Sequence, residues 1–168
     1  LNDVFNSKGN LKYTLVYVPE GLEPNYDDID DYIEDSEDVT LIDEYTKAVS
    51  RTDSSIMVKQ YTSNTKNRDE IIGAFQNGTI DVLTSMKCLD EGVDVPRSEL
   101  AIFCASTGNP RQFVQRRGRV LRTHDDKTYA IIHDLVVAPE INDESTFEME
   151  KNIITKELER VVDFSTLA

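Results

Sequence analysis

The sequence of 168 residues has little of what builds a disulfide scaffold, a metal centre or a membrane span. It contains two cysteines, two histidines and no tryptophan. No hydrophobic run approaches the roughly 20 residues that cross a bilayer. The isolated cysteines, Cys88 and Cys104, predict buried thiols in a reducing compartment rather than a disulfide framework or a zinc site. His124 and His133 have no partners at metal-ligand spacing. These absences exclude a membrane protein and favour a cytoplasmic location.

The start of the sequence also lacks a basic segment followed by an apolar one, so we expect no secretory signal. The first residue is Leu1 rather than methionine, and we therefore expect the chain to be part of a longer protein. With 39% hydrophobic and 30% charged residues, the composition is that of one globular domain rather than of a disordered chain.

Basic residues are scarce, since 18 of them face 32 acidic residues and the net charge is −14. At first sight this balance argues against nucleic acid as a partner. The charges are nevertheless unevenly distributed. Residues 20–50 hold 12 acids and one base, and residues 139–168 hold eight acids and three bases. Residues 109–122, in contrast, hold five arginines and no acid. The arginine-rich segment is therefore a candidate anion site within an acidic molecule.

Short apolar runs alternate with helical patterns along the chain. Runs rich in Val, Ile, Tyr and Phe predict five buried strands at residues 13–18, 56–61, 79–84, 100–105 and 128–133. Helices are predicted at residues 40–49, at residues 67–75 ending at Asn77-Gly78, and from Pro110 with Asn109 as its cap. Most of the strands show little apolar–polar alternation, which is typical of parallel strands covered on both faces. The sequence therefore predicts an α/β fold in which helices flank both faces of a parallel sheet.

The first segment that carries chemistry is QRRGRVLR at residues 115–122. Arginine presents a planar fork of donors that suits phosphate and stays charged at physiological pH. If a helix continues through Gly118, then Gln115, Arg119 and Arg122 share one face. If the helix ends at Gly118, Arg119 does not share that face, and its orientation depends on the following turn instead. The alternative interpretation is an ordinary solvated basic helix.

The second segment, residues 90–96, places a glycine between acids just after the predicted strand at residues 79–84. Ligands of open parallel sheets bind at the carboxyl ends of the strands. Gly92 allows close backbone approach, and Asp94 can accept hydrogen bonds from a ribose hydroxyl or pair with an arginine. An ordinary acidic turn is the alternative.

In this order and spacing, the two segments resemble the second RecA-like domain of superfamily-two helicases and translocases. TLVYV at residues 14–18 resembles motif IV, and residues 68–83 resemble the helix, glycine and strand before motif V. EGVDVP at residues 91–96 resembles motif V, and QRRGRVLR fits the motif VI pattern Q-x-x-G-R-x-x-R. The resemblance covers roughly residues 11–134 and is closer to restriction-type and excision-repair-type helicases than to DEAD-box RNA helicases.

The resemblance implies half of an ATP site, because in this family ATP lies between two RecA-like domains. Arg119 and Arg122 are then the candidate arginine fingers, which stabilise charge on the transferring phosphoryl group. Gln115 is expected at the γ-phosphate, and Gly92 and Asp94 at the ribose.

The sequence lacks both G-x-x-x-x-G-K-[ST] and a DExH or DExD box. The resemblance assigns the P-loop lysine and the Mg²⁺-binding acids to the N-terminal RecA-like domain, which is a partner of this one. We therefore expect no metal ligands in this chain and no ATP hydrolysis by the chain alone.

The family also carries a nucleic-acid strand across both domains, and we expect DNA here. Many relatives have a threonine or asparagine before the glycine of motif V, but Met86 stands where the DEAD-box threonine would be. The nearest substitutes are Ser85 and Lys87, and Thr107 follows the next strand. These three residues are the predicted strand contacts.

The predicted organisation has three parts. Residues 1–10 are a linker from the N-terminal motor domain, and residues 11–138 are the RecA-like domain with an acidic insertion at residues 20–38. Residues 139–168 are an acidic tail with a terminal helix that packs on this domain or on a neighbour. The predicted function is the C-terminal motor domain of an ATP-dependent helicase or translocase. The alternative is a non-catalytic interaction module that binds a partner through its insertion and tail. A stand-alone nucleotide-binding regulator is disfavoured because no phosphate-binding glycine loop is present.

Overall fold

The computed structural model describes residues 9–19, 41–86, 93–104, 110–136, 138 and 147–166. Within these residues the chain forms β1 (Thr14–Tyr17), α1 (Leu41–Thr52), β2 (Val58–Gln60), α2 (Arg68–Gln76), β3 (Val82–Ser85), β4 (Leu100–Phe103), α3 (Pro110–Val120), β5 (Ile131–Asp134) and α4 (Phe147–Thr166). The acidic insertion predicted at residues 20–38 lies outside the described residues.

The five strands form one parallel sheet in the order β2-β3-β1-β4-β5. The central strand β1 pairs Thr14 with Val82 of β3 and with Leu100 of β4. All five predicted strands are thus confirmed, and their carboxyl ends lie along the same edge of the sheet. This edge is where an open parallel sheet binds its ligands.

Three strands begin two or three residues later than the sequence predicts, namely β2, β3 and β5, and the reason is visible for β3. The run at residues 79–84 predicts a strand from Thr79, but β3 begins at Val82. The backbone N–H groups of Thr79 and Ile80 donate to the carbonyl of Ala74 at 2.9 and 3.0 Å. Those two residues therefore belong to the turn after α2, because their donors are already used there and not in the sheet.

Helices cover both faces of the sheet, as predicted. Leu15 and Tyr17 of β1 point to one face, where they pack in a cluster with Phe75 of α2 and Val120 of α3. Val16 points to the other face and packs in a second cluster, with residues of α1. Successive residues of a strand alternate between faces, so a strand covered on both faces needs apolar residues at every position. This explains why the runs lack alternation.

The end of α2 confirms the turn predicted at Asn77-Gly78. The N–H of Asn77 donates to the carbonyl of Gly73 at 3.0 Å, and the N–H of Gly78 donates to that of Phe75 at 3.1 Å. Gly78 has a φ of +77°, and a Cβ at this position would lie 2.8 Å from the hydroxyl oxygen of Tyr13. Both the backbone conformation and the space therefore require glycine.

The predicted terminal helix is present as α4. Ile154 is half-buried and Glu157 is buried, so one side of the helix is covered. Six large apolar residues among the described side chains of this helix are exposed, namely Phe147, Met149, Ile153, Leu158, Val161 and Val162. None of the helices in the described part of the chain has the length and apolar character needed to cross a membrane.

Candidate functional site

The arginine-rich segment lies on α3 and in the turn that follows it. The helix continues through Gly118 and ends at Val120, so Gln115 and Arg119 share a helical face as predicted. Arg122 lies just beyond the helix, where its N–H donates to the carbonyl of Arg119 at 3.3 Å. The helix begins at Pro110 as predicted, while its expected cap, Asn109, lies outside the described residues.

Both predicted arginine fingers contact the segment predicted to bind the ribose. Nη1 of Arg119 donates to the backbone carbonyl of Val93. Nη1 of Arg122 forms an ion pair with a carboxylate oxygen of Asp94. The backbone carbonyl of Asp94 also accepts a hydrogen bond of 3.2 Å from the side-chain amide of Gln76. The fold therefore brings together two segments that lie more than 20 residues apart in the sequence. Gly92, the other predicted ribose contact, lies outside the described residues.

The ion pair between Arg122 and Asp94 is open to solvent. The side chain of Arg122 is 47% exposed and that of Asp94 is 63% exposed. Exposed pairs of this kind stabilise a protein by only about 0–1 kcal/mol, because water screens them. An incoming anion can therefore replace the carboxylate at little cost. The Val93 carbonyl carries no net charge, so the bond to it does not neutralise the Arg119 guanidinium, which still attracts an anion.

Another arginine of the same segment is buried and anchors the helix. The side chain of Arg116 is 3% exposed, and its guanidinium carbon lies 5.1 Å from the centre of the Tyr17 ring. The Tyr17 ring in turn packs on Phe103, with 4.9 Å between the ring centres. Tyr17 and Phe103 end the adjacent strands β1 and β4, so Arg116 fixes α3 on the carboxyl edge of the sheet. The sequence by itself predicts no role for this residue, because spacing does not distinguish a buried arginine from an exposed one.

The predicted nucleic-acid contacts are only partly described. Ser85 is the last residue of β3, at the carboxyl edge of the sheet, but its side chain is buried. Among the described residues, its hydroxyl has no hydrogen-bond partner. Lys87 and Thr107 lie outside the described residues. All three residues stay predictions.

The described cysteine is not a reactive group. Burial raises the pKa of the Cys104 thiol to about 12, so the thiol is protonated at neutral pH. Cys88 lies outside the described residues. In the part of the chain that the structure covers, no group of three or more His, Cys, Asp or Glu side chains is placed to hold a metal ion.

Solved structures share this fold. The E. coli DEAD-box protein SrmB is similar with a TM-score of 0.55 and 14% identity, over 82% of this chain and 68% of that chain. The C-terminal part of the Fun30 ATPase domain is similar with a TM-score of 0.52 and 16% identity, over 95% of this chain and 51% of that chain. At these identities the likeness shows the fold alone.

Sequence comparison gives more specific relatives. The DNA 3'-5' translocase XPB2 of Sulfurisphaera tokodaii is 41% identical over 76 residues, or 45% of this chain and 17% of that protein. The ATP-dependent DNA helicase MPH1 of Vanderwaltozyma polyspora is 35% identical over 77 residues, or 46% of this chain and 8% of that protein. The chain thus spans less than a fifth of the length of these relatives.

A family model gives the broadest match. Residues 29–124 match the helicase conserved C-terminal domain, and this range includes the candidate phosphate-binding arginines and the segment that they contact. The match covers more than half of the chain. The chain therefore belongs to the family of helicase conserved C-terminal domains, as its resemblance to motifs V and VI predicts.

Proposed function

We propose that this chain is the C-terminal motor domain of an ATP-dependent DNA helicase or translocase, and that it supplies half of the ATP site. The observation that carries the proposal is the convergence of Arg119 and Arg122 on residues 93–94. The family match and the relatives named as a DNA translocase and a DNA helicase support the class of activity and the choice of DNA.

The arginines suit the phosphates of ATP. Charge builds up on the phosphoryl oxygens during transfer, and a preorganised guanidinium stabilises that charge. The backbone bond from Arg119 to Val93 and the ion pair from Arg122 to Asp94 hold both side chains close to their working positions before ATP binds. In our proposal Gln115, which is exposed one turn before Arg119, contacts the γ-phosphate.

The other half of the site belongs to a second domain. Bound Mg²⁺ would neutralise phosphate charge, and in our proposal its ligands are acids of an N-terminal RecA-like domain that faces the two arginines. Asp94 and Gly92 would contact the ribose from this side. We further propose that Ser85, Lys87 and Thr107 contact the DNA backbone and that the protein acts in the cytoplasm, which the paucity of cysteines supports.

The test is DNA-stimulated ATP hydrolysis by the intact protein that contains this chain. Arg119→Ala and Arg122→Ala are each expected to lower turnover at least about a hundredfold, since arginine fingers contribute roughly 10³–10⁵ in related phosphoryl transfers. Folding and DNA binding should be retained. The matched control is Arg117→Ala, which removes the same charge from the same helix at a residue outside the proposed site.

Three outcomes are informative. A large loss in both variants with a near-normal control supports the proposal. Equal rates in wild type and both variants would remove the arginine assignment. An intact protein without any ATP hydrolysis would favour the non-catalytic interaction module.

A further inference from the structure

We propose that Lys127 is a positioning residue for this site. Its ammonium group donates to three backbone carbonyls, those of Val120 at 2.8 Å, Pro96 at 2.9 Å and Ser98 at 3.0 Å. An ammonium group has three N–H donors, so these contacts use all of them. Lys127 therefore joins the end of the arginine helix to the segment that holds the arginines. This inference rests on the proposed function of Arg119 and Arg122.

On the helix side, the contact falls between the two arginines. Val120 is the last residue of α3, one position after Arg119 and two before Arg122. The last carbonyls of a helix have no partners within the helix and carry partial negative charge. A cation that binds one of them fixes the position of that helix end. The contact with Lys127 thus fixes the end of α3 and the start of the turn that carries Arg122.

On the other side, the contact falls on a rigid turn. Val95 and Ser98 are buried, and the N–H and hydroxyl groups of Ser98 donate to the carbonyl of Val95 at 3.0 and 2.7 Å. Val93 and Asp94, which hold the arginines, immediately precede this turn. The contacts therefore form a closed ring, in which the arginines bind residues 93–94 and Lys127 binds both the turn and the helix.

The lysine is itself held in place. Its N–H donates to the carbonyl of His124 at 2.9 Å, and the neighbouring Asp126 forms an ion pair with Arg97 of the same rigid turn. The Arg97 guanidinium also lies 4.4 Å from the centre of the Tyr13 ring. Burial lowers the pKa of Lys127, and the negative charge of Glu99 opposes that shift. These contacts distinguish Lys127 from an exposed, mobile lysine.

A positioning role predicts an effect on turnover rather than on ATP affinity. A catalytic group displaced by about 1 Å can lose about a hundredfold in rate, because the reacting geometry is disturbed. In the intact protein, Lys127→Met is expected to lower kcat tenfold or more while the KM for ATP changes less than threefold. Lys127→Arg, which keeps the charge and several donors, should lie closer to wild type. The matched control is Lys47→Met, an exposed lysine on α1 that pairs with Glu44.

A mutant cycle separates this role from a general structural one. If Lys127 acts through the arginines, Lys127→Met causes no further loss in a protein that already carries Arg119→Ala and Arg122→Ala. A full additional loss in that background, or an unchanged kcat in Lys127→Met alone, would overturn the proposal. Thermal melting shows whether each variant is folded, and Lys127→Gln, which removes the charge but keeps a polar side chain, replaces Lys127→Met in the cycle if Lys127→Met is not folded.

A second measurement does not depend on ATP hydrolysis. Without the Lys127 contact, amide hydrogen exchange at residues 119–122 should be at least tenfold faster in the folded variant than in wild type. If Arg119→Ala and Arg122→Ala leave hydrolysis unchanged, the proposed function is wrong, and exchange alone decides whether Lys127 fixes this segment. Unchanged hydrogen exchange at residues 119–122 would then refute the proposed role of Lys127.

Discussion

The buried Tyr17 ring gives the sharpest test of how the arginine helix is anchored. The ring is fully buried between Phe103, at 4.9 Å between ring centres, and the guanidinium of Arg116, at 5.1 Å. Tyr17→Leu removes an aromatic pair that contributes about 0.5–1.5 kcal/mol. It also removes a desolvated cation–π contact of about 2 kcal/mol. The two terms together come to about 3 kcal/mol, and we expect the chain to be destabilised by about that amount.

The assay is thermal unfolding followed by circular dichroism. In a domain of this size each kcal/mol lowers Tm by about 2–4 °C, so Tyr17→Leu should lower Tm by roughly 6–12 °C. Tyr129→Leu is the matched control, since that tyrosine is 68% exposed and its replacement should shift Tm by no more than about 2 °C. Equal shifts in the two variants would refute the reasoning.

A double-mutant cycle isolates the contact between ring and guanidinium. Arg116→Met keeps much of the side-chain volume but removes the charge, so we combine it with Tyr17→Leu. The two changes should be less than additive by about 1–2 kcal/mol, because each removes the same cation–π contact. Strictly additive effects would show that the stacking contributes nothing to stability.

Two further predictions concern a glycine in a turn and a cysteine beside the sheet. Gly78→Ala should destabilise the chain by about 1–3 kcal/mol, because alanine is strained at a φ of +77° and its Cβ meets Tyr13. The control is Gly73→Ala on the open side of α2, which should be neutral or stabilising by up to about 1 kcal/mol. Chemical denaturation measures both variants, and equal changes in their free energy of unfolding would contradict the argument. In a Cys88→Ser variant, native Cys104 should react with iodoacetamide at pH 8 about a thousandfold more slowly than Cys104 of the unfolded chain. The reason is that burial raises the pKa of the native thiol from 9.0 to about 12, and the thiolate is the reactive form. Rates within tenfold of each other would show that the native thiol is accessible.

Much of the fold follows from local sequence. Parallel strands covered on both faces appear as continuous apolar runs, so all five strands of the sheet were predicted without knowledge of their order. The turn at Asn77-Gly78 was predicted because a left-handed backbone needs glycine. The two motifs placed Asp94, Arg119 and Arg122 in one candidate site, because residue type and spacing are visible in the sequence itself.

The tertiary structure decided which of these side chains meet, and how. The sheet order brings residues 93–98 beside α3, and only this contact shows that Arg122 pairs with Asp94. The tertiary structure also distinguishes the arginines from one another. Arg116 is buried against Tyr17, while Arg122, six residues later, is exposed to solvent. Lys127 carried no signal in the sequence, because its three partners are backbone carbonyls. Every residue has such a carbonyl, so only the folded chain shows which ones converge on a single ammonium group.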